Sequence, residues 1–198
     1  MATLSELGFQ RDWTYEAIIS CFNGDMLHAA PFGVKSPDME SIQVEIYNSS
    51  NTLGYIMDKG CFIINIVSDP QYFFDSLYSK GQIQFKTARL IDAPVLADTP
   101  AFIEVKVTGC TEKPQSHLIN AEIINIEAAT IPELYNRAKC LVMESLIVAT
   151  RMNHLPEGKA EEILKENYRV IKKVAPGSTC VEMMEKLLKG CTAFYGNG

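Results

Sequence analysis

A chain of 198 residues that is 47% hydrophobic and 21% charged can bury one sizeable core, or a core plus an appendage, without disulfide staples. Its formal net charge of −6 argues against non-specific nucleic-acid binding and against attraction to an anionic membrane surface. No apolar run approaches the ~20 residues that span a bilayer, and no basic-then-apolar leader opens the chain, so it reads as cytoplasmic.

Residues 1–12 are mixed and read as a loosely ordered lead-in. Trp13 to Phe22 is aromatic and β-favouring, and Asn23-Gly24-Asp25 then gives a hairpin signal, with positive φ expected at both Asn23 and Gly24. The returning strand, Met26 to Val34, carries His28-Ala29-Ala30-Pro31-Phe32-Gly33-Val34, whose small residues would let a flat ligand lie against the backbone. Pro31 lacks an N–H, which makes this an edge or bulged strand. Ile42, Val44 and Ile46 alternate with Gln43 and Glu45, the period of a half-buried strand.

That strand runs into Tyr47-Asn48-Ser49-Ser50-Asn51-Thr52, a loop with no acidic residue directly before a helix start. Free backbone N–H groups and the helix dipole favour an anion at such a place, so the loop is a seat for a phosphate. Thr52 to Lys59 reads as two helical turns stopped by Gly60, and Cys61-Phe62-Ile63-Ile64-Asn65-Ile66-Val67 as a central strand. Ser68-Asp69-Pro70 starts a short helix to Tyr78. Ile83 to Leu90 reads as strand, broken by Asp92-Ala93-Pro94. Ala101 to Thr108 and His117 to Ile126 are strands around a turn at Glu112 to Gln115. Many strands with two short helices fit a small barrel.

From Thr130 the pattern turns helical. The capping box Thr130-Ile131-Pro132-Glu133 predicts a helix from Pro132 to about Asn153, the next spans Gly158 to Val174, and Thr179 to Glu182 opens a third that stops at Gly190. The boundaries that follow are a barrel over 1–129 and a helical segment over 130–198. Leu141 to Thr150 is apolar nearly all round, as at a subunit interface. Arg137, Glu144 and Arg151 run through it as one polar stripe, either solvated or reaching a partner or phosphate.

Nucleotide-loop and hydrolase-elbow motifs are absent. Among Cys21, Cys61, Cys110, Cys140, Cys180 and Cys191 there is no CxxC, and His28, His117 and His154 are dispersed, so neither a zinc site nor a redox pair is signalled. His28 is either structural or functional. Asn65, alone in an apolar run, must be hydrogen-bonded, and either bridges a bend in the backbone or faces a ligand.

The ordered series His28-Ala29-Ala30-Pro31-Phe32, the polar loop and helix, Gly60 to Val67, Ser68-Asp69-Pro70, Ala93-Pro94-Val95-Leu96-Ala97 and His117 to Ile124 resembles the flavin-reductase-like FMN-binding split barrel. With Arg137-Ala138, Glu144 and Ala149-Thr150-Arg151, the whole chain resembles a microbial, largely archaeal family that adds a C-terminal helical segment to that barrel. The resemblance implies a mostly antiparallel β-barrel plus α-helices, and FMN at a homodimer interface. The ring would lie along His28, Ala29, Ala30, Pro31, Phe32, Gly33 and Val34. The phosphate would sit among Tyr47, Asn48, Ser49, Ser50 and Thr52, with Asn65, Ile66 and Val67 lining the same pocket. It further implies an NAD(P)H-dependent, flavin-reductase-like oxidoreductase, or else a non-catalytic flavin-binding or dimeric sensor protein. Where flavin reductases carry Lys-Asp-Thr in the phosphate loop, this chain has Ser50-Asn51-Thr52. The missing positive charge would come from Lys35, Lys86, Arg89 or a partner arginine.

Overall fold

The structure is a computed structural model and describes residues 2–196, with side chains to residue 190; the Cys191 side chain lies outside that range. The chain forms two compact units: Tyr15–Tyr135 with the segment up to Arg11, and Asp12–Thr14 with the chain from Asn136 onward.

The first unit holds β1 (Tyr15–Asn23), β2 (Met26–Lys35), β3 (Ser41–Tyr47), α1 (Thr52–Lys59), β4 (Cys61–Ile66), α2 (Pro70–Tyr78), β5 (Phe85–Thr87), β6 (Pro94–Leu96), β7 (Ala101–Glu112) and β8 (Ser116–Ala128). Six antiparallel strands close a barrel in the order β1-β2-β3-β8-β7-β4, and β5 pairs with β6 as a separate ribbon. The alternation seen in the sequence fills the barrel. Ile19 opposes Ile64, Ile64 opposes Ile103, Val34 opposes Val44 and Val44 opposes Ile119, all buried. Closure is complete except between β2 and β3, which pair over two residues only.

Local chemistry explains where the elements differ from the sequence reading. Asn23 closes the β1–β2 ladder opposite Met26, so the turn residues are Gly24-Asp25 and only Gly24 (φ +59°) is left-handed, as in a type II′ turn. The lead-in is anchored, because Leu4, Leu7 and Phe9 are buried and the Phe9 ring packs edge-on against Tyr15. The strand expected over Ile83 to Leu90 shrinks to Phe85–Thr87. The backbone N–H groups of Leu90 and Ile91 donate instead to the buried Glu104 carboxylate, at 2.8 and 3.1 Å, and Asn125 Nδ2 joins them at 3.1 Å. Pro94 therefore begins β6 where a break was expected.

The box Thr130 to Glu133 starts no helix, since this stretch is held extended: Ala129 donates to Pro100 O, and Glu16 donates to Tyr135 O at 2.8 Å. The helix begins at Asn136, whose side chain accepts from Ala138 N–H at 2.9 Å.

The second unit is α3 (Arg137–Thr150), α4 (Lys159–Val174) and α5 (Thr179–Gly196). Val142, Leu164, Ile171, Val174 and Met184 form its core, with Trp13 packed on it. Trp13 thus serves the helical unit and does not belong to the first strand. Asn136 Nδ2 donates to both Thr14 O (2.8 Å) and Val174 O (2.9 Å), tying this unit's short N-terminal piece to α3 and α4. The third helix runs through Gly190, a glycine cost of about 1 kcal/mol that the helix tolerates. Among the described residues, no helix is long and apolar enough to cross a membrane, and no group of three or more His, Cys, Asp or Glu could hold a metal ion.

Candidate functional site

The barrel is open along one seam. β2 and β3 pair only at Val34↔Val44 and Lys35↔Gln43, so from Met26 to Gly33 the edge of β2 away from β1 is in no strand ladder. Backbone N–H and C=O groups on such an edge are available to a ligand. Ala30, Pro31, Phe32 and Gly33 are each half-buried, the exposure expected of a ledge. Helix α1 lies against β1, β3 and β4, with Ile56 wholly buried.

The start of α1 is joined to β2 by side chains. His28 Nε2 and Thr52 Oγ1 are hydrogen-bonded at 2.8 Å, and the His28 ring packs edge-on against Tyr55, centroids 5.0 Å apart. Register places His28, Ala30 and Phe32 on the face shared with the buried Cys21, Ile19 and Ala17. Burial, followed by the Lys80 ammonium nearby, lowers the imidazole pKa to about 4, so His28 is neutral at neutral pH. Thr52 is itself buried, so its hydroxyl serves the clasp with His28 and does not point into the loop.

The loop between β3 and α1 is held from one side and bare on the other. Asn48 N–H donates to Gln115 O at 3.1 Å, His117 Nδ1 lies 3.0 Å from Asn48 Oδ1, and Ser50 N–H donates to Tyr47 O at 2.9 Å. Asn51 caps α1 without a side-chain hydrogen bond. The backbone N–H groups of Ser49, Asn51 and Thr52 have no acceptor among the described residues, and Tyr47, Asn48, Ser49 and Asn51 are exposed. Uncapped N–H groups at a helix start, beside free serine hydroxyls, suit an anion. The neighbouring Glu45 carboxylate is occupied by Lys113 Nζ at 3.1 Å and Ser116 Oγ at 2.6 Å.

Asn65 resolves toward bridging the backbone. Its Nδ2 donates to Ile18 O (3.0 Å) and Ser20 Oγ (2.8 Å), and its Oδ1 accepts from Leu96 N–H (2.9 Å), so one buried amide brackets β1, β4 and β6. Ile66 and Val67 are likewise buried, and Val67 packs with Ile18, Ala29 and Leu96. These three residues brace the ledge from behind, and their side chains present no surface to it. The structure thus brings together His28 to Gly33 and Tyr47 to Thr52, and sets Asn65 to Val67 beneath them.

Of the cations named from sequence, Lys35 stays on β2 beside Val34, while Lys86 and Arg89 lie away from the loop. Lys35 sits in the short β2–β3 ladder, Lys86 Nζ bonds Ala97 O and covers the Phe102 ring, and Arg89 lies 3.9 Å from Glu127. Phe102 opposes Glu127 near the far end of β8, whereas Tyr47 opposes Ser116 at its start. The His28–Thr52 clasp escaped the sequence, because its spacing carries no signal. In the helical unit, α3 buries Ala138, Val142 and Ser145, while Met143, Leu146 and Ile147 are exposed beside Glu144 and Arg151.

Two family models cover most of the chain. One, described as the N-terminal domain of a protein of unknown function (DUF447), matches residues 15–130. The other, described as DUF447, matches residues 136–189. Among solved structures, an FMN-bound protein of the same family from Methanosarcina mazei is 23% identical, with 94% of this chain and 98% of that one covered and a TM-score of 0.56. Nitrilotriacetate monooxygenase component B from Bacillus cereus is 12% identical over 59% of this chain and 70% of that one, at a TM-score of 0.53. An FMN-binding protein from Thermus thermophilus is 14% identical over 59% and 72%, at 0.52. The fold is the split barrel of these proteins, with helices added after it.

Proposed function

The chain belongs to the DUF447 family, and from that premise we propose that it binds FMN at a homodimer interface and acts as an NAD(P)H-dependent, flavin-reductase-like oxidoreductase. The observation that carries the reading is the unpaired edge of β2 running beside the uncapped start of α1. A flat ring with a polar edge and a phosphate tail needs these two features side by side. The ring would rest along His28 to Val34, read by backbone N–H and C=O groups, and the phosphate among Tyr47 to Thr52. Asn65, Ile66 and Val67 would keep the ledge in register. The similar proteins from Methanosarcina mazei and Thermus thermophilus, described as FMN-bound and FMN-binding, support this assignment.

When bound, FMN supplies the hydride chemistry at its ring. The protein's part is to hold and orient. His28, held neutral, fixes the α1 start against β2 and adds no charge of its own. Thr52 places the N–H groups of the loop, and Ser49 and Ser50 offer hydroxyl donors. Met26, Leu27, Phe74, Leu77 and Tyr78 are all more than half exposed on β2 and α2, an apolar surface beside the ledge that supports a partner subunit there.

Anaerobic stopped-flow mixing of the FMN-loaded protein with NADH, and separately with NADPH, tests the activity. Bleaching of the flavin by one donor is the expected result. A loaded protein that neither donor bleaches would leave flavin binding in place and sink the reductase assignment, in favour of the non-catalytic flavin-binding role.

A further inference from the structure

We infer that the outward face of α3 pairs with α3 of a second copy of this chain, side by side and parallel, a contact that involves neither β2 nor α2 and is independent of the flavin site. The inward side of the helix is engaged within its own unit. Ala138, Val142 and Ser145 are buried, Asn167 Nδ2 of α4 donates to Ser145 Oγ at 3.0 Å, and Leu141 and Val148 pack on the helical core. The outward side is apolar as well: Met143 is 58% exposed, Leu146 43% and Ile147 38%. A helix that faces only water carries polar residues at such positions, so this stripe calls for a cover.

The spacing of the stripe says what the cover is. Cys140, Met143, Ile147 and Thr150 are all exposed and follow one another at intervals of 3, 4 and 3 residues, the a-d-a-d order of a coiled-coil seam. Such a seam fits a copy of itself, each a and d residue meeting its counterpart across a two-fold axis. In this register Lys139 takes a g position and Glu144 the following e position. They flank the stripe on opposite sides, so they cannot pair within one helix, and neither makes an ion pair among the described residues. A parallel partner brings its Glu144 to Lys139 and its Lys139 to Glu144. An antiparallel partner over the same length would bring the two Glu144 carboxylates together, so charge selects the parallel pair. Leu146 holds the next g position and shares with Met183 of α5, itself 51% exposed, a crevice of about 450 Å³. The apolar surface is therefore wider than a single helix seam.

The register supplies its own probe, since Cys140 at an a position faces the partner's Cys140 within the span of a disulfide. The test is brief copper-phenanthroline oxidation of the full chain with Cys110, Cys180 and Cys191 replaced by serine, read by non-reducing denaturing electrophoresis; Cys21 and Cys61 stay in place, buried. A band of doubled mass is expected, and C140S should remove it. I147E, which sets two carboxylates into the seam, should abolish the band. E144K, which opposes Lys139 to the partner's lysine, should weaken it, and K139E/E144K, which restores opposite charges, should bring it back. Ile147, Glu144 and Lys139 are exposed, so these variants keep their fold, which helical circular dichroism verifies. A band that survives I147E would come from chance encounter or from a dimer made elsewhere on the chain, and would overturn the inference. Single mass throughout would also overturn it, and would leave this face to a partner of another kind.

Discussion

The His28–Thr52 clasp makes a pH prediction. The imidazole is neutral in the folded protein down to about pH 4, whereas in the unfolded chain it takes up a proton near its ordinary 6.5. Between these values the unfolded state binds more protons, so stability is fully present above about pH 6.5 and is lost progressively as pH falls toward 4. The gap corresponds to at most about 3.4 kcal/mol; because His28 is only half-buried, screening reduces this to about 1–2 kcal/mol.

The carboxylates held low, Asp38 (to about 2), Glu6 and Glu166, begin to lose their contributions only below their ordinary values of 3.8 to 4.5. The interval above about 4.5 therefore isolates His28. Urea unfolding of wild type and H28Q at steps from about pH 7 to about 4.5 measures it. The variant keeps an amide for Thr52 and cannot titrate, so the stability difference between the two proteins should narrow or reverse as the pH falls. Parallel curves would refute a buried neutral histidine at this position.

Asn65→Ala removes three hydrogen bonds from one buried amide and should cost about 3 kcal/mol, read as a lower urea midpoint with an unchanged m-value. Asn136→Ala strips the α3 cap and removes the amide donor from the carbonyls of Thr14 and Val174, the latter keeping its bond from Thr14 N–H, so a loss of about 2 kcal/mol is expected in the same assay. Ser50→Ala with Thr52→Ala should weaken FMN binding by roughly 1–3 kcal/mol by fluorescence titration, through a lost donor and a loosened clasp.

Period-2 burial at Ile42, Val44 and Ile46, the left-handed stop at Gly60 and the Asp69-Pro70 helix start were legible in the sequence, because each is a local consequence of local residues. The start of α1 right after the polar loop was legible in the same way. What was not legible depends on contacts distant in sequence. The Thr130 to Glu133 box failed because Glu16 pairs with Tyr135 and holds that stretch extended. The strand expected after Ile83 failed because Glu104, on a strand formed later, takes the N–H groups of Leu90 and Ile91. Asn65 could be recognised as needing partners, but its partners lie on two other strands, β1 and β6.

The central claim is that the open edge of β2 and the start of α1 form one flavin nucleotide site. Equilibrium titration of FMN into the flavin-free protein, followed by the change in flavin fluorescence, tests it most directly. The account predicts saturable binding of one FMN per chain with micromolar or tighter affinity, about −8 kcal/mol or better. A fluorescence signal that stays that of free FMN at protein concentrations of about 100 μM, where the free energy of binding would be weaker than about −5.5 kcal/mol, would contradict it.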